Sequence, residues 1–291
     1  MNISISPSEL NQRLSKYRTK TFRSEPHLRL KNQSEAIQFV NDRGFTFFWP
    51  ITGIIFPSLW VAVAGERPVA DQHDDPAHIT WRWKDNLLGS KEWYYAKVLR
   101  KKATIISLQS LPYFYALSRN YGSPDEDHLI LYEQGLLSIE EKLIYEALLH
   151  QGPLDTLALK REAHLSSRQN ESRFDRALAS LQSDFKIIPI GIAEVGAWRY
   201  AYIYEITTRY LPEIIENTRF IDETTARQYL LRQYFLSVGG AKSEDVIKLF
   251  HWTLLETTQT LQVLLDDRFL TQFDSINSLS VKRFFLTSLI N

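Results

Sequence analysis

The C-terminal half of this 291-residue chain contains a supersecondary unit that occurs twice. In the first copy, a capping box at residues 138–141 opens an amphipathic helix, which ends at Gly152-Pro153. A short second helix follows around residues 155–163, and a third helix carries one apolar stripe from Phe174 to Phe185. Apolar and aromatic residues then alternate on either side of a glycine-containing turn, which predicts a β-hairpin. Three helices followed by a hairpin are typical of a winged helix-turn-helix.

The second copy begins near Asp222 and repeats this order. A helix over 225–236 ends at Gly239-Gly240, a short helix follows Ser243, and residues 253–256 form another capping box. Internal repetition of a unit is stronger support for a fold than either copy alone. We therefore predict an α+β, mainly helical fold built from tandem winged helix-turn-helix units.

Changes in composition along the chain predict four regions. Residues 1–31 form a basic N-terminal segment, and residues 32–136 form an aromatic-rich domain for which a degenerate winged helix is one interpretation. Residues 137–212 form a winged-helix domain, and residues 221–291 form a second winged-helix-like domain.

Charge and cysteine content exclude several kinds of site. The chain has 34 Lys and Arg residues against 34 Asp and Glu residues, so any contact with nucleic acid must come from a local basic patch. The absence of cysteine excludes disulfides, thiolate metal sites and cysteine nucleophiles. The first ten residues are polar and lack the apolar core of a secretory signal, so we expect a cytoplasmic protein.

One apolar segment, residues 45–64, is about as long as a membrane-spanning helix. It contains Pro50 and Pro57, each of which would break a helix in lipid. We expect a buried, aromatic-rich core segment rather than a membrane span.

The predicted third helix of the first copy and the hairpin after it carry cations and amides beside their apolar positions. In a winged helix the third helix enters the major groove while the wing contacts the phosphate backbone. A solvated charged face, or a protein-binding module on the same fold, fits the residues as well. The predicted DNA-binding residues are Arg168, Gln169, Asn170, Arg173, Arg176, Lys186, Trp198 and Arg199.

A second group interleaves aromatic residues with cations. Trp81, Arg82, Trp83 and Lys84 form a set that can stack on bases or contact phosphates, and we predict such contacts here. The alternation of the two tryptophans equally fits a strand with one buried face. Asp85 lies next to them and is the weak candidate for a catalytic acid.

Motifs for other chemistries are missing or weak. The chain has no glycine-rich nucleotide loop, nucleophile elbow or zinc-protease helix. His73, Asp75 and His78 have the residue types of a metal site, but their loop context equally fits a solvated turn. We predict no cofactor and no bound metal.

Several short motifs resemble the AlkZ/YcaQ-type winged-helix DNA glycosylases. The resemblance rests on Gly-Pro-Leu-Asp-Thr at 152–156, Arg-Ala-Leu at 176–178 with Leu181, Tyr-Glu at 204–205 and Arg-Tyr-Leu-Pro at 209–212. It covers residues 138–270. Members of this family are bacterial repair enzymes that release alkylated bases and unhook interstrand crosslinks, and they consist of tandem winged helices without a cofactor.

The resemblance implies a DNA-binding protein related to these repair glycosylases, with duplex DNA, including damaged DNA, as the partner. The family's catalytic Gln-x-Gln or Gln-x-Asp pair is expected after residues 36–44, where this chain has Phe-Thr-Phe-Phe-Trp at 45–49. No carboxylate or amide stands there, so the family's catalytic residues are not carried over. The alternative is a non-enzymatic winged-helix transcriptional regulator or protein-interaction scaffold.

Overall fold

The computed structural model describes residues 5–72, 74–274 and 282–290. Helices alternate with small three-stranded sheets, so the fold is α+β and mainly helical, as the sequence predicts. The chain forms two compact units, one of Met1–Thr80 with Glu223–Asn291 and one of Trp81–Asp222.

The N-terminal part of the chain begins with a helix and then runs through an order of helix, strand, helix, helix, strand, strand. The elements are α1 (Pro7–Phe22), α2 (Gln33–Arg43), β1 (Phe45–Phe47), α3 (Leu59–Ala64), α4 (Ile79–Leu87), β2 (Tyr94–Lys97), β3 (Ala103–Ile106), α5 (Leu111–Tyr115) and α6 (Asp127–Glu133). Strands β2 and β3 pair antiparallel, with Tyr94 opposite Ile106.

The apolar segment at 45–64 contains β1 and α3 rather than one long helix. Phe45, Phe47 and Trp60 within it are fully buried. Among the described residues, no helix combines the length and the apolar character that crossing a membrane requires.

The central repeat, which we define as residues 137–212, has the element order that the sequence predicts. Its elements are α7 (Ile139–Gln151), β4 (Leu154–Asp155), α8 (Thr156–Glu162), α9 (Glu171–Ser183), β5 (Ile187–Ala193), β6 (Ala201–Ile206) and the short α10 (Thr207–Tyr210). The sheet has the antiparallel order β4-β6-β5. The capping box forms as predicted, since Glu141 N donates to Ser138 Oγ at 3.2 Å and Ser138 N donates to Glu141 Oε2 at 2.6 Å.

The apolar stripes of α7 and α9 face each other in the core of the central repeat. Ile144 and Leu148 of α7 pack with Phe174 and Leu181 of α9, and all four are buried. Burial of this stripe leaves the polar side of α9 outside the core, because helical residues three and four apart share a face.

The C-terminal repeat, residues 221–291, follows the connecting helix α11 (Glu213–Thr218) and has the same order of elements and the same sheet order. Residues 275–281 and 291 of this predicted domain lie outside the described residues, as do residues 1–4 of the basic segment. Its elements are α12 (Glu223–Val238), β7 (Gly240–Lys242), α13 (Ser243–Phe250), α14 (Leu254–Asp266), β8 (Leu270–Asp274) and β9 (Lys282–Leu286), with sheet order β7-β9-β8.

The basic N-terminal segment folds as α1 and caps the end of α12. Arg18 donates from Nε to Val238 O at 2.9 Å and from Nη2 to Gly240 O at 2.7 Å. Tyr17 Oη donates to Leu236 O at 2.7 Å. Cations and donors satisfy the last carbonyls of a helix, so these groups serve the fold rather than a free basic arm.

The unit Trp81–Asp222 spans residue 136, where the composition predicts a domain boundary. Aromatic rings from the first eighty residues pack against the C-terminal repeat, with ring centroids 5.8 Å apart for Phe56 and Tyr234 and 5.9 Å apart for Phe45 and Phe250. Residues 81–136 instead belong to the same unit as the central repeat. Contacts between residues distant in sequence set this division, and composition alone does not reveal them.

Candidate nucleic-acid interface

The polar face of α9 is exposed at its N-terminal end. A 3₁₀ turn at Arg168–Asn170 leads into the helix, and Arg168 and Gln169 in it are exposed while Asn170 is half-buried. Arg173 and Arg176 follow within the first two turns of α9, and both are exposed. The structure therefore brings five of the predicted DNA-binding residues onto one stretch of surface.

Carboxylates lie beside part of this basic surface. Arg173 Nη1 lies 3.6 Å from Glu140 Oε1, at the start of α7. Arg176 donates from Nε to Ser172 O at 3.1 Å, and this acceptor is a backbone carbonyl rather than a carboxylate. Both arginines line a surface pocket of about 310 Å³, and Lys101 lines the same pocket. The local field is basic but partly neutralised.

The wing, which we define as residues 194–200, joins β5 to β6. Trp198 is 92% exposed at its tip. Arg199 Nη2 pairs with Glu194 Oε2 at 2.6 Å, and Arg199 N donates to Gly196 O at 3.1 Å. These bonds close the turn across its base, and Trp198 stands at the tip of that turn.

A group that we call the wing-root cluster lies where the wing meets α4. It consists of Trp81, Lys84 and Asp85 of α4 with Tyr200 and Tyr202 on the returning arm of the hairpin. Lys84 Nζ donates to the hydroxyls of Tyr200 and Tyr202, at 2.8 and 2.5 Å, and lies 2.7 Å from Asp85 Oδ1. Tyr200 Oη also donates to Asp85 Oδ1, at 2.9 Å. Two sets of residues predicted separately, at 81–85 and in the wing, thus meet at Tyr200.

Aromatic rings enclose the Lys84 ammonium. Its Nζ lies 4.7 Å from the ring centre of Tyr202 and 5.1 Å from that of Trp81, within the range of cation–π attraction. Burial lowers the pKa of Lys84, while its contact with Asp85 acts in the opposite direction. Burial also raises the pKa values of Tyr200 and Tyr202, so both phenols stay protonated at neutral pH.

The structure corrects two expectations at this cluster. Trp83 and Lys84 are buried, with Lys84 only 1% exposed, so neither reaches a base or a phosphate as predicted. The strand interpretation of Trp81 and Trp83 is also wrong, because the segment forms α4. Only Trp81 and Arg82 of the four predicted contact residues are exposed.

The prediction that Lys186 contacts DNA also needs correction. It is buried, and its Nζ donates to Asn120 Oδ1 at 3.0 Å and to Arg119 O at 3.1 Å. Its place at the entry to β5 suggested a surface cation, but a loop distant in sequence covers it. Lys186 therefore holds that loop and does not contribute to the exposed basic surface.

Sequence reasoning missed the tyrosines of the wing-root cluster as polar groups. The alternation that includes Tyr200, Tyr202 and Tyr204 predicts only a hairpin. Their even spacing puts all three on one side of the hairpin arm, and Tyr202 also lies 3.4 Å from Tyr95, hydroxyl to hydroxyl. The sequence signal for a polar cluster is the presence of three phenols on one side of a strand in a chain that also has the cationic, aromatic segment 81–85.

Strand β1 lies where the resemblance expects the family's catalytic pair. Its residues Phe45, Thr46 and Phe47 are fully buried or nearly so. Buried phenyl rings and a threonine offer no carboxylate or amide to position a water. The structure of β1 therefore agrees with the sequence, which lacks the family's catalytic Gln-x-Gln or Gln-x-Asp pair at this place.

Of the three residues with the types of a metal site, the structure describes two, Asp75 and His78. His73 lies outside them, and Asp75 accepts hydrogen bonds from Arg67 Nη2 at 2.6 Å and from Ala77 N at 2.9 Å. His78 packs against Trp60, with ring centroids 5.4 Å apart. In the part of the chain that the structure describes, no three His, Asp or Glu side chains could hold a metal ion together.

Comparisons with known proteins agree with this fold. No curated protein matches the chain. The solved structure of Streptomyces sahachiroi DNA glycosylase AlkZ is similar at a TM-score of 0.57 and 12% sequence identity, over 95% of this chain and 70% of that one. At this identity the likeness establishes a shared fold. The model of the AlkZ-related family matches residues 30–251, about three quarters of the chain, and this protein therefore belongs to the AlkZ-related family.

Proposed function

We propose that this protein binds double-stranded DNA through its central repeat and serves in the recognition of damaged DNA. The observation that carries the proposal is the joint exposure of the arginines at the start of α9 and of Trp198 at the tip of the wing. In this arrangement α9 enters the major groove and the wing contacts the neighbouring backbone. Membership of the AlkZ-related family and the fold shared with a DNA glycosylase support a role in repair. The expected cytoplasmic location is part of the same proposal.

The guanidinium groups on α9 have different tasks in this account. Arg176, whose Nε is held by Ser172 O, is positioned for a phosphate or for a guanine edge. Arg173 has to exchange its contact with Glu140 for one with DNA, which lowers its net contribution. Affinity then depends on a few cations rather than on a broad basic field.

The salt dependence of binding tests this assignment. We expect Arg173→Ala/Arg176→Ala to weaken duplex binding and to reduce the slope of log K against log [salt] by about 1–2, since each phosphate contact contributes about 0.9. Arg219→Ala is the matched control, because Arg219 is an exposed arginine of the same compact unit outside α9 and the wing. An unchanged slope in a correctly folded double variant would remove α9 from the interface.

Base release is a separate question, because β1 lacks the family's catalytic pair. We propose recognition without cleavage at β1. Asp85 is the candidate catalytic acid if cleavage occurs, since its side chain lies in the wing-root cluster and is 26% exposed. Incubation of the protein with alkylated and crosslinked duplexes, followed by detection of free base, tests this point. Release that survives Asp85→Asn would show that another group carries the chemistry.

A second candidate function is a non-enzymatic regulator or protein-interaction scaffold. It is favoured by α14 of the C-terminal repeat, which exposes Leu254 and Leu255 in its first turn where α9 exposes arginines. Exposed adjacent leucines are more typical of a protein contact than of a DNA contact. Sequence-specific retention of undamaged duplex, without preference for lesions, would favour this candidate over repair.

A further inference from the structure

We propose that the wing-root cluster receives a nucleobase that has been displaced from the duplex, and that it prefers a base with an amino group over thymine. This inference rests on the proposed function, because it assumes that the wing lies against DNA. It adds a base-binding site formed by Trp81, Asp85 and Tyr200, beside the predicted contacts of α9.

The chain path brings the cluster within reach of the wing tip. Tyr200 follows Trp198 by two residues, so their Cα atoms are at most about 7 Å apart. The rise between stacked bases along one strand is about 3.4 Å. A base that gives up its place in the stack to the Trp198 indole would therefore need to move only a short distance to reach Tyr200.

Trp81 provides the apolar surface for such a base. Its side chain is 42% exposed, and its ring centre lies 6.2 Å from that of Tyr200 at an interplanar angle of 47°. The two rings form a tilted wall rather than a closed sandwich, so a base can stack on the outer face of the indole. Arg82 is exposed next to it and can contact the phosphate of the displaced nucleotide.

Asp85 provides the polar selectivity. Both Lys84 and Tyr200 contact its Oδ1, and the side chain remains 26% exposed. A carboxylate accepts hydrogen bonds and cannot donate them. Adenine, cytosine and guanine carry an amino donor on the edge that pairs, whereas thymine presents carbonyl oxygens on both sides of its single N–H, and these would face the carboxylate unfavourably.

Lys84 acts as a positioning residue beneath this surface. Its ammonium contacts the Asp85 carboxylate and both tyrosine hydroxyls, which fixes their directions. It also neutralises the carboxylate, so that a phosphate backbone can approach without strong repulsion. A cluster with this charge balance suits a neutral base beside a nucleic-acid chain.

Binding to three duplexes tests the proposal with the full-length protein. The duplexes carry one unpaired adenine, one unpaired thymine, or no unpaired base in an otherwise identical sequence. We expect the protein to bind the unpaired adenine about tenfold more tightly than the paired duplex, and more tightly than the unpaired thymine. Trp81→Leu should remove most of the gain for both unpaired bases. Asp85→Asn should remove the preference for adenine over thymine.

Two matched controls separate this effect from general changes in aromatic content and charge. Phe220→Leu removes another exposed aromatic ring of the same compact unit, and Glu133→Gln removes another exposed carboxylate. Both should keep the full preference for the unpaired adenine. Replacing that adenine by 2-aminopurine adds a direct reading, since stacking on Trp81 should quench its fluorescence in the wild type and not in Trp81→Leu.

The outcomes distinguish failure of this inference from failure of the proposed function. If the wild type binds none of the duplexes, the proposed function itself is wrong, and the base site falls with it. If it binds the paired duplex through Arg173 and Arg176 but shows no preference for an unpaired base, only the inference is overturned. A preference that persists in both Trp81→Leu and Asp85→Asn also overturns it, because the flexibility of the bulged duplex would then explain the gain.

Discussion

Glu205 and Arg209 together hold the end of α7. Glu205 Oε1 accepts a hydrogen bond from Arg209 Nε at 3.1 Å, and the same guanidinium donates to the carbonyl oxygens of Leu148 and Leu149. Gly152 permits this arrangement, because a Cβ there would lie 2.5 Å from Leu148 O. Glu205, Arg209 and Gly152 belong to the motifs that resemble the glycosylase family, and in this chain they stabilise the fold.

Replacement of Arg209 by alanine should destabilise the protein. The change removes the Arg209 donor from Leu149 O and one of two donors from Leu148 O, which Gly152 N still bonds. It also leaves the largely buried Glu205 without its cation. We expect the free energy of unfolding in urea to fall by about 1–3 kcal/mol. Arg219→Ala, which removes an exposed arginine with a weak partner, should change it by less than about 0.5 kcal/mol. Equal effects of the two variants would show that the contact at α7 contributes little.

Lys186→Ala tests the correction made to the predicted interface. Loss of the ammonium leaves Asn120 Oδ1 and Arg119 O without this donor in a partly buried site, so stability should fall by about 1–3 kcal/mol. The salt slope of duplex binding should stay at the wild-type value, because the group does not reach the surface. A stable variant with a reduced slope would return Lys186 to the interface.

Trp198→Ala should weaken DNA binding without affecting stability. The indole is almost fully exposed, so its removal costs the fold little, whereas stacking on a base is worth about 1–3 kcal/mol. We expect duplex affinity to fall about tenfold while the midpoint of thermal unfolding stays unchanged. The matched control is Phe220→Ala, which removes an exposed ring outside residues 194–200. Comparable losses of affinity in both variants would point to a non-specific effect.

Stability should fall steeply at alkaline pH. Burial raises the pKa of Tyr115 to about 12 and raises that of Tyr204 as well, whereas a phenol in the unfolded chain titrates near 10. Above pH 10 the unfolded chain therefore loses protons that the folded chain keeps, and the free energy of unfolding decreases as pH rises. Lys84 and Lys186 have lowered pKa values and act in the opposite direction, but only up to about pH 10.5.

Tyr115→Phe isolates one of these phenols. Between pH 9 and pH 11.5, its free energy of unfolding in urea should decrease by about 1–2 kcal/mol less than that of the wild type. A packing change caused by the substitution alters the free energy of unfolding equally at both pH values. It therefore drops out when the pH-dependent decreases of the two proteins are compared. Parallel curves for the two proteins would show that this phenol titrates alike in the folded and unfolded chains.

Local signals account for what the sequence predicts well. The capping boxes at Ser138 and Thr253 form as expected, and the alternation after Lys186 corresponds to the hairpin of β5 and β6. Such features depend on residues within a few positions of one another, so a single sequence contains them. The fold class follows from the same signals.

Long-range contacts account for what the sequence does not reveal. Lys84 is buried by tyrosines more than a hundred residues away, and Lys186 by a loop more than sixty residues away. The strand interpretation of Trp81 and Trp83 rests on an alternation of only three residues, which is too short to separate a strand from a helix. In α4, Trp81 instead shares a side with Lys84 and Asp85, at helical spacings of three and four.

Hydrogen–deuterium exchange with and without duplex DNA tests most directly the central claim that the central repeat binds DNA through α9 and the wing. We expect DNA to slow exchange in residues 168–183 and 194–200, and we expect exchange in the N-terminal half of α14 to stay unchanged. Protection confined to α14, or no protection in the central repeat under conditions where the duplex is bound, would contradict the assigned interface.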